Sequence, residues 1–282
     1  MFTLKIENQN GEVLDFSDNK NYDILEIQGL NPPPSALNFT TMANFDGSAY
    51  NSGRVDNRNI VLTIKIHGPA EENRINLYKY LPLKQLIRLY YTNGLRDVYI
   101  DGYIETNEIG LFSMNETAQI SIICPNPYWR DVTPLEITFS TVTSGFEFPF
   151  AIEEEGIEFG IISGTGTQIV ENGDIETGLI IEFTAVANQV LNPKFYNRTT
   201  QETMTIDYDM LAEDVIRINT NRGSKSVTLI RNGVKLNIIN KFAAGSDWVT
   251  LAPGQNIISY DSDEGLDNLY VRVYAEKCYG GV

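Results

Sequence analysis

The chain carries one histidine, His67, and two cysteines, Cys124 and Cys278, among its 282 residues. A histidine-rich zinc hydrolase site needs at least two imidazoles, and a disulfide-built scaffold needs many more cysteines, so both classes are excluded. The two cysteines read as buried thiols acting as small apolar residues. No G-x-S-x-G elbow is present, so a Ser-His-Asp or Cys-His machine would have to rest on His67 alone. No run of about 18 uncharged apolar residues occurs, which leaves no candidate for membrane insertion. Basic residues are scarce as well: 21 Lys+Arg stand against 37 Asp+Glu, a net charge of −16. That balance excludes capture of nucleic acid by phosphate neutralisation and docking on an anionic membrane. The opening, MFTLKIENQNGEV, has Lys5 and Glu7 where a signal peptide would need an apolar run, so the expectation is a soluble chain made in a cytoplasm.

What is present is a period of two. In Ile60–His67, Leu62, Ile64 and Ile66 share one face while Thr63, Lys65 and His67 share the other, the signature of a half-buried strand. Leu86–Tyr91, Asn93-Gly94 and Arg96–Ile104 read as a hairpin, with Asn-Gly supplying the two positive-φ residues of a type I′ turn. Val227–Ile230, Asn232-Gly233 and Val234–Ile239 repeat that design. Gln119–Cys124, Trp248–Leu251, Asn256–Tyr260 and Leu269–Glu276 complete a run of short strands. One segment breaks the pattern. Pro69 to Leu81 has an early proline, acids in its first turn and Pro82 as a stop, and predicts a short amphipathic helix with Ile75, Tyr78 and Leu81 on its apolar face.

The fold class expected is therefore mainly β in two domains. Residues 1–140 form an N-terminal β-sandwich or split barrel with one helix and hairpins; residues 141–282 form a second β-sandwich. The polar stretch Ser140–Gly145 and the acidic run Glu147, Glu153, Glu154, Glu155 and Glu158 mark the passage between them. No cofactor, metal or catalytic site is expected. Gly164-Thr165-Gly166 lacks a Walker lysine, and Asp261-Ser262-Asp263-Glu264-Gly265 lacks the closing glutamate of a calcium loop. Trp248 is the one candidate ligand aromatic, as a sugar-stacking platform, with core packing as the competing reading.

Several motifs fall in an order that resembles a known family. They are Leu30-Asn31-Pro32-Pro33-Pro34, then Asn44-Phe45-Asp46-Gly47-Ser48-Ala49-Tyr50 and Arg54, and the strand ending Cys124-Pro125-Asn126-Pro127-Tyr128-Trp129. Ile216–Thr220, Leu251–Asn256 and Val271–Tyr274 extend the likeness into the later half. Together they resemble the distal tail protein family of long-tailed, siphovirus-type phages of Gram-positive bacteria. The resemblance implies a galectin-like fold for the second sandwich. It implies a structural, non-enzymatic virion protein: a homo-hexameric ring at the tail tip, made in the host cytoplasm, joining the tail tube to the baseplate adsorption apparatus. The implied partners are the tail tube protein, the tape measure protein, the tail-associated hub or lysin protein and, in many members, receptor-binding proteins. Within such a ring Pro32–Gly53 is the candidate inter-subunit arm, with Pro32, Pro33, Pro34, Phe45, Tyr50 and Arg54 as its marker residues; an ordinary long loop is the competing reading. Two other functions stay open at this point. One is a carbohydrate-binding adhesin that recognises a cell-wall polymer, although the later half lacks the histidine of a galectin-type sugar site. The other is the equivalent ring of a tail-like bacteriocin.

Overall fold

The computed structural model describes residues 2–17, 19–44, 46–110, 116–139, 142–144, 160–162 and 167–282. The acidic run and Gly164-Thr165-Gly166 lie outside the described residues. The chain divides into two compact units, one of Met1–Thr133 with Tyr279–Val282 and the other of Pro134–Cys278. Among the described residues the architecture is mostly β with one α-helix.

In the first unit the strands are β1 (Thr3–Asn8), β2 (Val13–Asp15), β3 (Tyr22–Gln28), β4 (Ser35–Thr41), β5 (Ser48–Val55), β6 (Arg58–Ile66), β7 (Leu86–Thr92), β8 (Asp97–Ile109), β9 (Thr117–Cys124) and β10 (Trp129–Asp131), with helix α1 (Ala70–Tyr80) between β6 and β7. Strands pair antiparallel in the order β2-β1-β7-β8-β9-β6-β3, and β10 pairs with β8. Alternation works as the sequence implies: Ile60, Leu62 and Ile64 of β6 and Ile120 and Ile122 of β9 are wholly buried. The β4–β5 pair stands apart from this sheet as its own two-stranded ribbon.

Helix α1 corrects one expectation. Its buried residues are Asn73 and Leu77, followed by Leu81, whereas Ile75 and Tyr78 are exposed. The buried stripe thus runs at i, i+4, i+8 and includes a polar residue. Asn73 is tolerated there because its side-chain amide donates to the His67 carbonyl (2.8 Å); its main-chain carbonyl accepts from the Tyr22 hydroxyl (2.7 Å). Leu77 supplies about 2 kcal/mol of burial against the sheet.

The two Asn-Gly turns also part company. Asn232 (φ 51) and Gly233 (φ 76) both lie in the left-handed region, and Arg231 pairs with Val234, as a two-residue turn requires. Neither Asn93 nor Gly94 does. There the closing pair is Thr92 with Asp97, and the Asn93 side chain accepts from the Leu95 and Arg96 amides (2.9 and 2.8 Å). A two-residue turn would set Arg96 opposite the buried Tyr91; the longer loop sets Val98 there.

The second unit contains β11 (Leu135–Phe139), β12 (Val142–Ser144), β13 (Gly160–Ile162), β14 (Thr167–Glu171), β15 (Thr177–Gly178), β16 (Ile180–Ala185), β17 (Val190–Leu191), β18 (Lys194–Asn197), β19 (Glu202–Thr205), β20 (Asp209–Met210), β21 (Val215–Asn219), β22 (Ser226–Arg231), β23 (Val234–Asn237), β24 (Thr250–Leu251), β25 (Gln255–Asp261) and β26 (Leu269–Ala275). A six-stranded sheet, β11-β26-β16-β21-β22-β23, and a four-stranded sheet, β14-β25-β18-β19, share one hydrophobic core, so this unit is a β-sandwich. Phe139 bridges them, edge-on to Phe195 (6.3 Å) and Tyr260 (5.2 Å). The division differs from one drawn after residue 140. Strand β11 pairs with β26 of the second unit, and residues 279–282 return to the first. Trp248 and Val249 precede a strand, β24, that begins only at Thr250.

Candidate functional site

The three prolines Pro32, Pro33 and Pro34 hold the backbone extended as it leaves the first unit's sheet, and β4 and β5 follow as an antiparallel hairpin. Every residue of β4 is exposed, and β5 is nearly so. Leu37, Phe39, Met42 and Tyr50 are each more than half exposed, at 54%, 51%, 53% and 62%. They are not scattered. Phe39 faces Tyr50 across the ladder at 6.0 Å between centroids, and a Cβ on Gly53 would meet the Tyr50 hydroxyl at 2.9 Å and Leu37 at 3.0 Å. Leu37, Phe39 and Tyr50 thus make an apolar cluster on a ribbon that the other described residues cover on neither face. An isolated two-stranded hairpin is marginal in water, and a contiguous apolar patch on it marks a surface that meets another body. Arg54 pairs with Asp56 (3.3 Å) in solvent, and Phe45 falls outside the described residues.

The root of the hairpin is built differently. Arg58, which opens β6 just after the hairpin returns, is 1% exposed. Its guanidinium meets no carboxylate among the described residues. Nε donates to the Pro127 carbonyl (2.7 Å), Nη1 to those of Gly29 (2.5 Å) and Asn31 (2.7 Å), and Nη2 to that of Gly280 (2.5 Å). Trp129 lies 5.7 Å from the guanidinium. Burial holds the Arg58 pKa below its ordinary value, and the four carbonyl dipoles make a charged form tolerable there. The segment before the hairpin, the strand after it and the returning residues 279–282 are thereby pinned at one point. The Val282 backbone N–H donates to the Leu30 carbonyl (3.2 Å), Gly281 lies against Pro32, and the Arg96 guanidinium donates to the Gly281 carbonyl while lying 4.2 Å from the Tyr279 ring. Gly29 (φ 87) must be glycine, since a Cβ would run into the Asn59 backbone.

Sequence reasoning marked Pro32–Pro34, Tyr50 and Arg54 but missed Arg58 and the apolar cluster of Leu37 and Phe39. The structure brings Pro32 to the root and Tyr50 to the cluster, and leaves Arg54 outside both. Elsewhere in the first unit Asp101 receives Arg88 (2.7 and 3.2 Å) and Arg130, both stacked on Tyr99. Burial alone would raise the Asp101 pKa; the two guanidinium groups outweigh it and hold the carboxyl below the ordinary range. Cys124 is buried, and desolvation pushes its thiol up to about 12. His67 pairs with Asp23 at 2.6 Å on an exposed flank.

Trp248 stacks on Phe242 (4.4 Å, 12°), with the Lys225 ammonium 5.2 Å from its centroid, and packs against the core of the second unit. Asp263 pairs with Lys194 and accepts from the Asn192 amide (2.8 Å). Among the described residues no group of three or more His, Cys, Asp or Glu could hold a metal ion.

Residues 172–274 match the family model described as the siphovirus-type tail component, C-terminal domain. No curated protein matches the chain. Among solved structures the chain is similar to the Dit (gp 19.1) protein of phage SPP1, described as a paradigm of hub adsorption apparatus in Gram-positive infecting phages. That likeness has a TM-score of 0.68 at 12% identity and covers 99% of each chain. It is similar also to chains of the phage P2 baseplate in its activated conformation, with Ca (TM-score 0.57, 13% identity, 100% of each chain) and with Sr (0.53, 13%). The likeness in sequence to the siphovirus-type tail component thus covers residues 172–274, and the likeness in fold covers the whole chain.

Proposed function

We infer that this chain is a structural distal tail protein: a homo-hexameric ring at the virion's tail tip that joins the tail tube to the adsorption apparatus. The observation that carries this reading is an exposed apolar hairpin, rigidly rooted at Arg58, on a fold shared with a hub protein and with baseplate chains. A closed ring needs two unlike surfaces on every copy, one that reaches and one that receives. The β4–β5 hairpin is the reaching element. Its prolines, Pro32–Pro34, set the exit direction, Tyr50 and Phe39 supply the buried anchor, and Arg54 lies further along β5. The ring's partners are the tail tube, tape measure and hub or lysin proteins, with receptor-binding proteins docked outside. It performs no catalysis, takes no cofactor, and is made in the host cytoplasm. Its acidity keeps DNA from adhering as it passes.

Native mass spectrometry and negative-stain microscopy of the full chain test this. The intact protein should form rings, and replacement of residues 35–55 by a short glycine linker should leave folded monomers. An intact chain that stays monomeric at every concentration, or immunogold label on capsid or lateral fibres, would refute the proposal.

A further inference from the structure

We propose that the outer face of the β14-β25-β18-β19 sheet is a saccharide-binding site. In the antiparallel register Tyr196 stands opposite both Ser259 and Thr203, and Lys194 opposite Asp261. Opposed residues share a face, so these side chains lie on the surface away from the core, while Phe195, Met204 and Tyr260 fill the interior. The turn from β18 to β19 adds Arg198 and Gln201. Tyr196, Arg198, Gln201, Thr203, Ser259 and Asp261 line a cleft of about 480 Å³, within the range of small-ligand sites, and Lys194 at its margin pairs with Asp263 instead.

The cleft is held rigid from behind. Arg198 donates its backbone N–H to the Ile257 carbonyl (2.8 Å) and its Nε to the Ser259 hydroxyl (3.2 Å). Asn197 donates to Asn256 (2.9 Å) and to the Thr250 carbonyl (2.7 Å), and the Glu202 carboxylate accepts the Thr250 amide (2.8 Å). The groups turned toward the cleft are unspent: the Tyr196 phenol, the Gln201 amide, the Thr203 hydroxyl and the terminal N–H groups of Arg198 make no hydrogen bond with the described residues. Asp261 uses one oxygen on the Ser262 amide (2.8 Å) and keeps the other.

Chemistry selects the ligand class. Donors and acceptors alternate around one aromatic ring. A hydrocarbon would strand every polar group, and a phosphate would meet the Asp261 carboxylate. A sugar ring answers both needs, since each hydroxyl donates and accepts and its C–H face stacks on a phenol. This site lies on residues distinct from Trp248 and does not depend on ring assembly.

Saturation-transfer NMR of the full chain with maltose, lactose and diacetylchitobiose tests it. At least one sugar should bind, and Arg198→Ala and Tyr196→Ala should each weaken it about tenfold or more, while Trp248→Phe leaves it unchanged. Gln201→Ala, at an exposed turn, gives a variant with no folding cost and should also weaken binding. No transfer from any of the three sugars, retention of binding in all three cleft variants, or displacement by inorganic phosphate alone would overturn the proposal.

Discussion

Replacing Arg58 by methionine keeps the volume and removes the charge, and it strands four carbonyls, those of Gly29, Asn31, Pro127 and Gly280. At the low end of about 1 kcal/mol per buried unpaired acceptor, the loss is roughly 4 kcal/mol. Relief of the guanidinium's own desolvation returns part of this, leaving a net cost of about 3 kcal/mol. Set against a domain stability of about 5–15 kcal/mol, the first unit should melt roughly 10 °C lower. The chain carries two tryptophans, Trp129 in the first unit and Trp248 in the second, so a Trp248→Phe background isolates the first. Urea titration of Trp129 emission then reads the unit directly, and hydrogen exchange over residues 215–219 reports the other. Deleting residues 279–282 should cost less in the Arg58→Met background than in the native chain, because one shared bond is already gone. A loss under about 1 kcal/mol, or equal loosening of residues 215–219, would refute the idea that Arg58 pins the first unit.

Acidification should weaken both units through one carboxyl each. Burial pushes Asp214 up, but the Arg231 guanidinium and the Leu211 amide outweigh it and leave its pKa low, as for Asp101. A depressed carboxyl stabilises the fold above its unfolded pKa of about 3.9, and that contribution is lost as pH falls through the folded value. Asp214→Asn and Asp101→Asn should therefore lower stability at neutral pH and flatten its fall below about pH 4, each in its own unit, by pH-dependent denaturation. The Asn-Gly turns give a paired test. Gly233→Ala should cost about 1–2 kcal/mol, because φ is 76 there. Gly94→Ala meets open space at a negative or extended φ and should be neutral or gain about 0.5 kcal/mol. Equal melting points for the two variants would contradict the turn assignments.

How much of this was legible depends on whether a feature is written in residue type or in tertiary register. Alternation in Ile60–Ile66 and Leu269–Ala275 marks strands because one face of each is buried, and Pro32–Pro34 mark the start of the hairpin for the same local reason. Asn93-Gly94 misleads because the register of Tyr91 against Val98, settled by burial several residues away, overrides the dipeptide's preference. The helix face misleads because Asn73 can be buried once the His67 carbonyl takes its side-chain N–H, and composition assigns asparagine to water. Arg58 was invisible for a deeper reason. Its partners are backbone carbonyls, which every residue has, so no side-chain pattern announces them. The open cleft beside Tyr196 likewise exists only once β18, β19 and β25 are aligned.

The return of residues 279–282 has a consequence for synthesis. A ribosome delivers Gly280 only after the whole of Pro134–Cys278 has been translated, so Arg58 waits for its fourth acceptor until the second unit has emerged. A nascent chain therefore holds its hairpin on an unfinished footing until residue 280 has been made.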